Sequence, residues 1–346
     1  MKKLVFGLIL LAALVGGIGA AAWVIDQRTR SPYRGYTDSE RFVEIPTGAS
    51  TRAIGEALVA GGIVRDAFTF RVALWLSGEA RHLQAGEYQF SQAMTPREVI
   101  AKIARGGVYV VSVTFPEGLT IAEMARIAEA HGFGPAADFI AAAQDPAPVR
   151  AFDSAAGDLE GYLFPDTYPL SRRTTPRALV GLMVDRFQAV FTPDLREAAS
   201  ARHLSVRQAV TLASIVEKET GRGDERPLVA AVYANRLRIG MALQCDPTVI
   251  YALARAGRYR GNLRRDDLQF DSPYNTYRYP GLPPGPIASP GRASLEAALR
   301  PAKVDFLYFV SRNDGTHAFS RTLAEHGRNV QKFQVQYFRA NRAAGR

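Results

Sequence analysis

The feature that most constrains the fold of this chain is an uncharged run from Leu4 to Ile25. As a helix, the run would span roughly 33 Å, which is enough to cross a bilayer core of about 30 Å. A polar stretch beginning at Asp26 ends it abruptly. We therefore predict a transmembrane anchor over residues 4–25, with Trp23 at the outer interface. A cleaved signal peptide is the alternative, because small residues occupy positions 19–22.

The residues before and after this run bear on location. The leader of residues 1–3 is very short, which favours a cytoplasmic N-terminus, a single crossing of the inner (cytoplasmic) membrane, and a periplasmic bulk. Cys245 is the only cysteine, so no disulfide can form within the chain. The net charge of +10 fits attraction to anionic lipid or an anionic polymer. No finger, RNP-like or basic-zipper pattern occurs, so nucleic acid is not an expected partner.

The remaining sequence predicts an α+β fold in two parts. Residues 26–41 are polar and contain proline and glycine, as is typical of a juxtamembrane linker. Some 300 residues follow, which is enough for two domains. We expect a small α+β module over 42–107 and a mixed, mostly helical catalytic domain over 108–346. Within the latter, the segment 306–320 has the pattern of a β-hairpin, and a basic helix is predicted from Leu323 to about Arg342.

The small module is predicted to begin with the strand Phe42–Ile45 and to return to a strand at Gly86–Phe90. Ser50 and Asp66 are placed to cap two helices between these strands, and Thr95 opens a further helix with a capping box. This strand–helix–helix–strand order resembles a LysM module, which implies binding to glycans rich in N-acetylglucosamine. A plain spacer domain is the alternative.

Two carboxylates stand two residues apart on one predicted helix of the larger part. Two residues correspond to roughly 200° of helical turn, so Glu217 and Glu219 should face nearly opposite ways. Leu212, Ile215, Val216 and Glu219 follow the i, i+3, i+4, i+7 pattern of a buried stripe. We therefore expect Glu219 on the apolar face and Glu217 as a solvated surface charge.

The expected surroundings of Glu219 favour its protonated form. Desolvation disfavours a charged carboxylate, and the last turn of a helix opposes a further negative charge. Gly221 is predicted to end this helix. Glu219 is therefore a candidate proton donor with a raised pKa, although a wet helical face without catalytic function has the same local pattern.

Four segments of the larger part carry a family resemblance when taken together. They are 161–168 (Gly-Tyr-Leu-Phe-Pro-Asp-Thr-Tyr), 213–220 (Ala-Ser-Ile-Val-Glu-Lys-Glu-Thr), 235–251 (beginning Asn-Arg-Leu-Arg-Ile-Gly-Met and ending Asp-Pro-Thr-Val-Ile-Tyr) and 274–287 (containing Tyr-Asn-Thr-Tyr and Gly-Leu-Pro-Pro-Gly-Pro-Ile). In this order, and behind an anchor and a LysM-like module, they resemble the YceG-like endolytic murein transglycosylases. Cys245 departs from the small hydroxylated residue expected there, but leaves Asp246 in place.

This resemblance implies a lyase that cleaves peptidoglycan between N-acetylmuramic acid and N-acetylglucosamine without water, leaving a 1,6-anhydro end. The essential glutamate of the family falls on Glu219. The tethered 6-hydroxyl of the sugar replaces the second carboxylate of ordinary glycosidases, so one group can serve as acid and then as base. The implied partners are peptidoglycan glycan strands, the inner membrane and peptidoglycan synthases. Cleavage within nascent strands would set their length.

Three candidate substrate contacts lie in a predicted loop rich in proline and glycine. Aromatic faces and amides in such a loop can meet sugar rings and N-acetyl groups. These residues are Tyr274, Asn275 and Tyr277.

Three further candidates precede that loop. Gln244 is polar in an apolar surrounding and could orient an acetamido group. Asp246, followed by proline, predicts first a helix N-cap and otherwise a substrate contact. Asn235 is a candidate to brace the helix of Glu219 or to contact substrate.

Two other functions remain open from the sequence. A hydrolytic muramidase would use a second carboxylate and leave a reducing end. A catalytically inactive, membrane-tethered scaffold would bind peptidoglycan without cutting it. The five histidines are scattered without ligand spacing, and no phosphate-binding loop occurs, so we expect neither a metal nor another cofactor.

Overall fold

The computed structural model describes residues 2–339 and divides the chain into two compact units. The first unit contains the residues up to Val111 together with Pro169–Arg172. The second contains Ser112–Tyr168 and the chain from Arg173 onward. Both units combine helices with two-stranded sheets, so the predicted α+β class is confirmed.

The first unit packs helices on an antiparallel pair of strands in which Val43 lies opposite Tyr88. Its elements are α1 (Lys2–Arg30), β1 (Arg41–Ile45), α2 (Thr51–Ala60), α3 (Ala67–Ser77), β2 (Gly86–Phe90) and α4 (Pro96–Ala104). The part of α1 from Phe6 to Arg30 is long and apolar enough to cross a membrane. The predicted leader begins at Met1, which lies outside the described residues.

The caps of the first unit explain where its helices begin. Ser50, Asp66 and Thr95 each accept a hydrogen bond from the backbone N–H three residues later, as predicted from the sequence. The side chains of Leu58, Phe70 and other apolar residues of α2, α3 and α4 fill one core against the two strands. The predicted strand–helix–helix–strand order is therefore present.

The second unit is mostly helical. Strands β3 (Val111–Thr114) and β4 (Thr167–Leu170) pair with each other. The other elements are α5 (Ile121–Ala130), α6 (Ala136–Ala143), α7 (Pro176–Val190), α8 (Pro193–Ala201), α9 (Val206–Glu219), α10 (Arg226–Arg238), α11 (Asp246–Arg255), α12 (Arg292–Leu299), β5 (Tyr308–Ser311), β6 (His317–Ser320) and α13 (Leu323–Val330).

Helix α9 lies at the centre of the second unit, where α8, α10, α11 and α12 pack around it. The predicted hairpin is confirmed as β5 and β6, with Phe309 opposite Phe319. The predicted C-terminal helix begins at Leu323 and continues beyond α13 as a π-helical turn, Gln331–Gln336. Its predicted end near Arg342 lies outside the described residues.

One glycine ties two of the sequence motifs together. Gly161 has φ 83°, and a Cβ atom there would lie 2.4 Å from the Cβ of Pro286. Only glycine allows both this left-handed backbone and this close approach. The 161–168 segment is therefore held directly against the proline-rich segment that ends at Ile287.

Candidate active site

Glu219 is the last residue of α9, and the sequence of that helix explains its position. A capping box between Ser205 and Gln208 starts the helix. Leu212, Ile215 and Val216 are fully buried, which confirms the predicted apolar stripe. Glu219 continues this stripe at the point where the helix leaves the core.

The predicted helix end was wrong by one residue. Thr220, and not Gly221, leaves the helical conformation, with φ −144° and ψ 132°. The Oγ1 of Thr220 donates a hydrogen bond to Glu225, which also accepts from the backbone N–H of His317 and pairs with its Nδ1 at 2.6 Å. Because this buried carboxylate fixes the extended residue, the helix ends without a left-handed glycine.

Glu219 lies in a polar cavity of about 250 Å³. The hydroxyl of Tyr233, a buried residue of α10, donates a hydrogen bond to Glu219 Oε1 at 2.5 Å. The residues that line the cavity with Glu219 are Tyr233, Arg236, Leu243, Gln244, Asp246, Tyr277, Phe309 and His326.

The surroundings of Glu219 favour its protonated state. Burial of the carboxyl group raises the pKa of Glu219, and the nearby charge of Asp246 acts in the same direction. Hydrogen bonds from Cys245 and Tyr233 and the proximity of His317 oppose this effect on the pKa without cancelling it. The group can therefore carry a proton at a pH where an exposed glutamate would be ionised.

The Gln244–Asp246 segment is held by the loop that contains Thr276. The N–H of Gln244 donates to the carbonyl of Thr276, and the N–H of Cys245 donates to its hydroxyl. Gln244 has φ 49°, a conformation that costs a non-glycine residue free energy. This turn places the exposed Gln244 at the cavity and buries Cys245 beside Glu219.

Asp246 is not the N-cap that the sequence predicted. It is the first residue of α11, while Cys245 occupies the cap position without a side-chain hydrogen bond. The carboxylate of Asp246 instead accepts a hydrogen bond from the Tyr277 hydroxyl at 2.6 Å. Burial and this bond raise the pKa of Tyr277, so its proton stays on the phenol. Asp246 and Tyr277 together form one wall of the cavity.

Three of the predicted contacts lie away from this cavity. Tyr274 packs against Tyr251 with the two rings tilted and their centroids 5.0 Å apart. The side-chain amide of Asn275 is fully buried and donates to the carbonyls of Leu268 and Phe270, which shapes the loop.

Asn235, the third, was expected to brace α9 or to contact substrate. Its amide donates instead to the carbonyls of Val304 and Phe306, at 2.8 and 3.1 Å. Neither expected contact of Asn235 is therefore present. Its side-chain amide instead holds the segment that leads into β5.

Glu217 is not the solvated charge predicted from the sequence. Its side chain is 6% exposed, pairs with Arg226 at 3.1 Å and accepts the N–H of Gly291 at 2.9 Å. Gly291 is the N-cap of α12, where a negative charge is favoured by the helix dipole. The prediction failed because α12 covers the face of α9 that was assumed to meet water.

Sequence reasoning missed several residues around Glu219. Tyr233 and Arg236 are three residues apart on α10, and a buried tyrosine and arginine among alanines and valines are a signal that could have been noticed. Arg236 donates to the carbonyls of Leu307 and Leu243, at 2.7 and 2.6 Å. Phe309, by contrast, reaches the cavity from the hairpin, so only tertiary structure could reveal it.

Among the described residues 2–339, no cluster of three or more His, Cys, Asp or Glu side chains could hold a metal ion. The side chains of the cavity supply one carboxyl group with a raised pKa, a second carboxylate, hydroxyls, an amide, a guanidinium and an imidazole.

The fold and the cavity define an α+β protein with a partly buried carboxylic acid in a polar cleft. The YceG-like family matches residues 43–332, and the chain belongs to this family. It is 32% identical to the endolytic murein transglycosylase of Bacillus subtilis, over 84% of both chains. It is 29% identical to the protein of the same name from Streptococcus pneumoniae D39, covering 95% of this chain and 65% of that one.

A solved structure has the same fold. The crystal structure of a yceG-like protein from Listeria monocytogenes superposes with a TM-score of 0.57 at 32% sequence identity. The match covers 84% of this chain and 99% of the Listeria chain.

Proposed function

We propose that this protein is a lytic transglycosylase that cleaves the bond between N-acetylmuramic acid and N-acetylglucosamine within peptidoglycan strands. One observation carries the proposal. Burial raises the pKa of the Glu219 carboxyl group, and Tyr233 orients this group toward a polar cavity. Relatives named endolytic murein transglycosylases, at about 30% identity, support the same substrate.

The first step requires a proton on the leaving oxygen. Because the Tyr233 hydroxyl donates to Oε1 of Glu219, the proton of the neutral acid resides on Oε2. Oε2 protonates the glycosidic oxygen as positive charge develops on the muramic acid ring. The bond from C1 of that sugar to the oxygen breaks, and N-acetylglucosamine leaves with a new hydroxyl group.

The second step closes the anhydro ring. The 6-hydroxyl of the same sugar attacks C1, and the carboxylate of Glu219 takes its proton. The catalyst is thereby returned to its acid form, and no water is consumed. The hydroxyl is tethered in the substrate, so its effective concentration is high. Gln244, Asp246 and Tyr277 line the cavity and are the proposed contacts to the sugars.

The proposed location is the inner membrane, with the bulk of the chain in the periplasm. Helix α1 supplies the single crossing. The C-terminal end of α1 is part of the first unit, because Thr29 is buried there and Asp26 lies 3.6 Å from Arg97. These contacts support a retained anchor over a cleaved leader. A protein anchored there would meet nascent glycan strands near peptidoglycan synthases, and its cuts would end their elongation. The LysM-like order of the first unit supports a further glycan contact.

A product analysis tests the proposed reaction. Wild-type protein should release fragments with 1,6-anhydro ends from purified glycan strands, as identified by mass spectrometry. Glu219→Gln should lower this rate by about 10²–10⁴-fold, because the amide cannot donate the proton. Glu217→Gln is the matched control, since the same change two residues earlier alters a carboxylate outside the cavity.

Two results would contradict the proposal. Reducing ends among the wild-type products would indicate a hydrolytic muramidase. Binding to purified sacculi without release of soluble fragments, by a folded protein, would indicate an inactive scaffold.

A further inference from the structure

Helix α3 exposes apolar side chains on one face although its other face is already buried. Phe70 and Leu74 point into the core of the first unit. Phe68, Trp75 and Leu76 are 55%, 80% and 51% exposed. A spacing of seven and eight residues from Phe68 puts Trp75 and Leu76 on the same side of a helix. A contiguous apolar patch of this kind marks an interaction surface.

Helix α3 lies next to the proposed anchor. Helix α1 packs against α3 and α4 within the first unit. The apolar run of α1 ends at Ile25, and Thr29, four residues later, is already buried. Four residues of helix rise about 6 Å, whereas the headgroup layer on each side of a bilayer is roughly 5–8 Å thick. A lipid surface crossed by α1 is therefore within reach of α3.

The charges around α3 suit the same surface. Arg71 is the only charged residue within α3, and it is exposed beside the apolar side chains. Arg65 and Arg28 are exposed nearby, the former just before α3 and the latter at the end of α1. The carboxylate of Asp66, the N-cap of α3, is engaged by the backbone N–H and hydroxyl of Thr69. Arginines at this level attract anionic headgroups, and tryptophan favours the interface.

We propose that the exposed face of α3, formed by Phe68, Arg71, Trp75 and Leu76, lies in the headgroup layer of the membrane that α1 crosses. This inference rests on the proposed anchoring by α1 and adds a second membrane contact to it. With one membrane contact through α1 and a second through α3, the first unit is held against the membrane surface. With α1 alone, the unit would be free to move on a flexible tether.

The two tryptophans of the chain allow a direct test. In the full chain, Trp23→Phe leaves Trp75 as the single tryptophan. The variant is reconstituted into vesicles of phosphatidylcholine and phosphatidylglycerol that carry bromine at a shallow or a deep acyl position. We expect the Trp75 emission maximum at a shorter wavelength than in water and stronger quenching by shallow than by deep bromine. An additional Phe68→Ser change, at an exposed position, should weaken this quenching.

The reverse variant separates the two proposals. Trp75→Phe leaves Trp23, which brominated lipids should quench if α1 crosses the bilayer. Quenching of Trp23 without quenching of Trp75 would overturn the α3 contact and leave the anchor intact. A Trp75 that is shielded from water but insensitive to brominated lipid would also overturn it, since a second copy or another protein would then cover the face. If Trp23 is not quenched, the anchor itself fails.

Discussion

The hydrogen bond from Tyr233 to Glu219 gives the sharpest test of the proposed acid. At 2.5 Å, it joins a buried hydroxyl to a carboxyl group that is otherwise desolvated. A hydrogen bond to a charged group contributes about 1.5–3 kcal/mol, and one between neutral groups about 0.5–1.5 kcal/mol. The bond therefore favours the ionised form, and its removal by Tyr233→Phe should raise the pKa of Glu219 further.

The consequence for activity follows from the sign of this change. Proton donation needs the neutral acid, so activity is lost as the pH rises through the pKa of Glu219. A higher pKa moves this alkaline limb of the pH–rate profile upward. Because Glu219 itself remains, the rate at the optimum should fall far less than the roughly 10²–10⁴-fold expected for Glu219→Gln.

The assay is the rate of release of anhydro-ended fragments from purified glycan strands, measured across pH. Tyr277→Phe is the matched control, because that hydroxyl lies in the same cavity but donates to Asp246. It should weaken substrate binding and leave the alkaline limb near its wild-type position. A limb that moves down in Tyr233→Phe, or that moves equally in both variants, would refute the reasoning.

The remaining predictions concern three other carboxylates. Burial raises the pKa of Glu160 to about 8, so its contribution to stability is present below the ordinary carboxyl pKa and is lost as the pH rises through about 8. The free energy of unfolding, measured in urea, should therefore differ less between pH 5 and pH 8 for Glu160→Gln than for wild type. An equal difference between the two pH values in both proteins would contradict this. Glu217→Gln should lower the free energy of unfolding by about 1–3 kcal/mol, because the amide cannot replace the ion pair with Arg226, and an unchanged urea midpoint would exclude that contribution. Asp246→Asn should raise KM, and mass spectrometry should still find anhydro ends on its products. If the wild-type protein instead gives reducing ends and this variant does not, Asp246 is a hydrolytic carboxylate.

Local sequence signals predicted much of the secondary structure correctly. Helix caps such as Ser50, Asp66 and Thr95 depend on a side chain and a backbone N–H three residues away, so the pattern alone determines them. The hairpin β5–β6 is equally local. Asp246 failed as a cap because a residue 31 positions later, Tyr277, takes its carboxylate. A competing partner that is distant in sequence cannot be seen in a local pattern.

The same distinction applies to the two glutamates of α9. Helical periodicity correctly placed Glu219 with the buried stripe, because one face of a helix repeats every 3.6 residues whatever surrounds it. Periodicity does not say what covers the opposite face. Glu217 lies on that face, where it pairs with Arg226 and accepts the N–H of Gly291 at the N-terminus of α12. The helix is therefore buried on both sides, and what distinguishes its two carboxylates is the partner each one meets. Glu217 pairs with the guanidinium of Arg226, whereas a phenol and a desolvated cavity let Glu219 hold a proton.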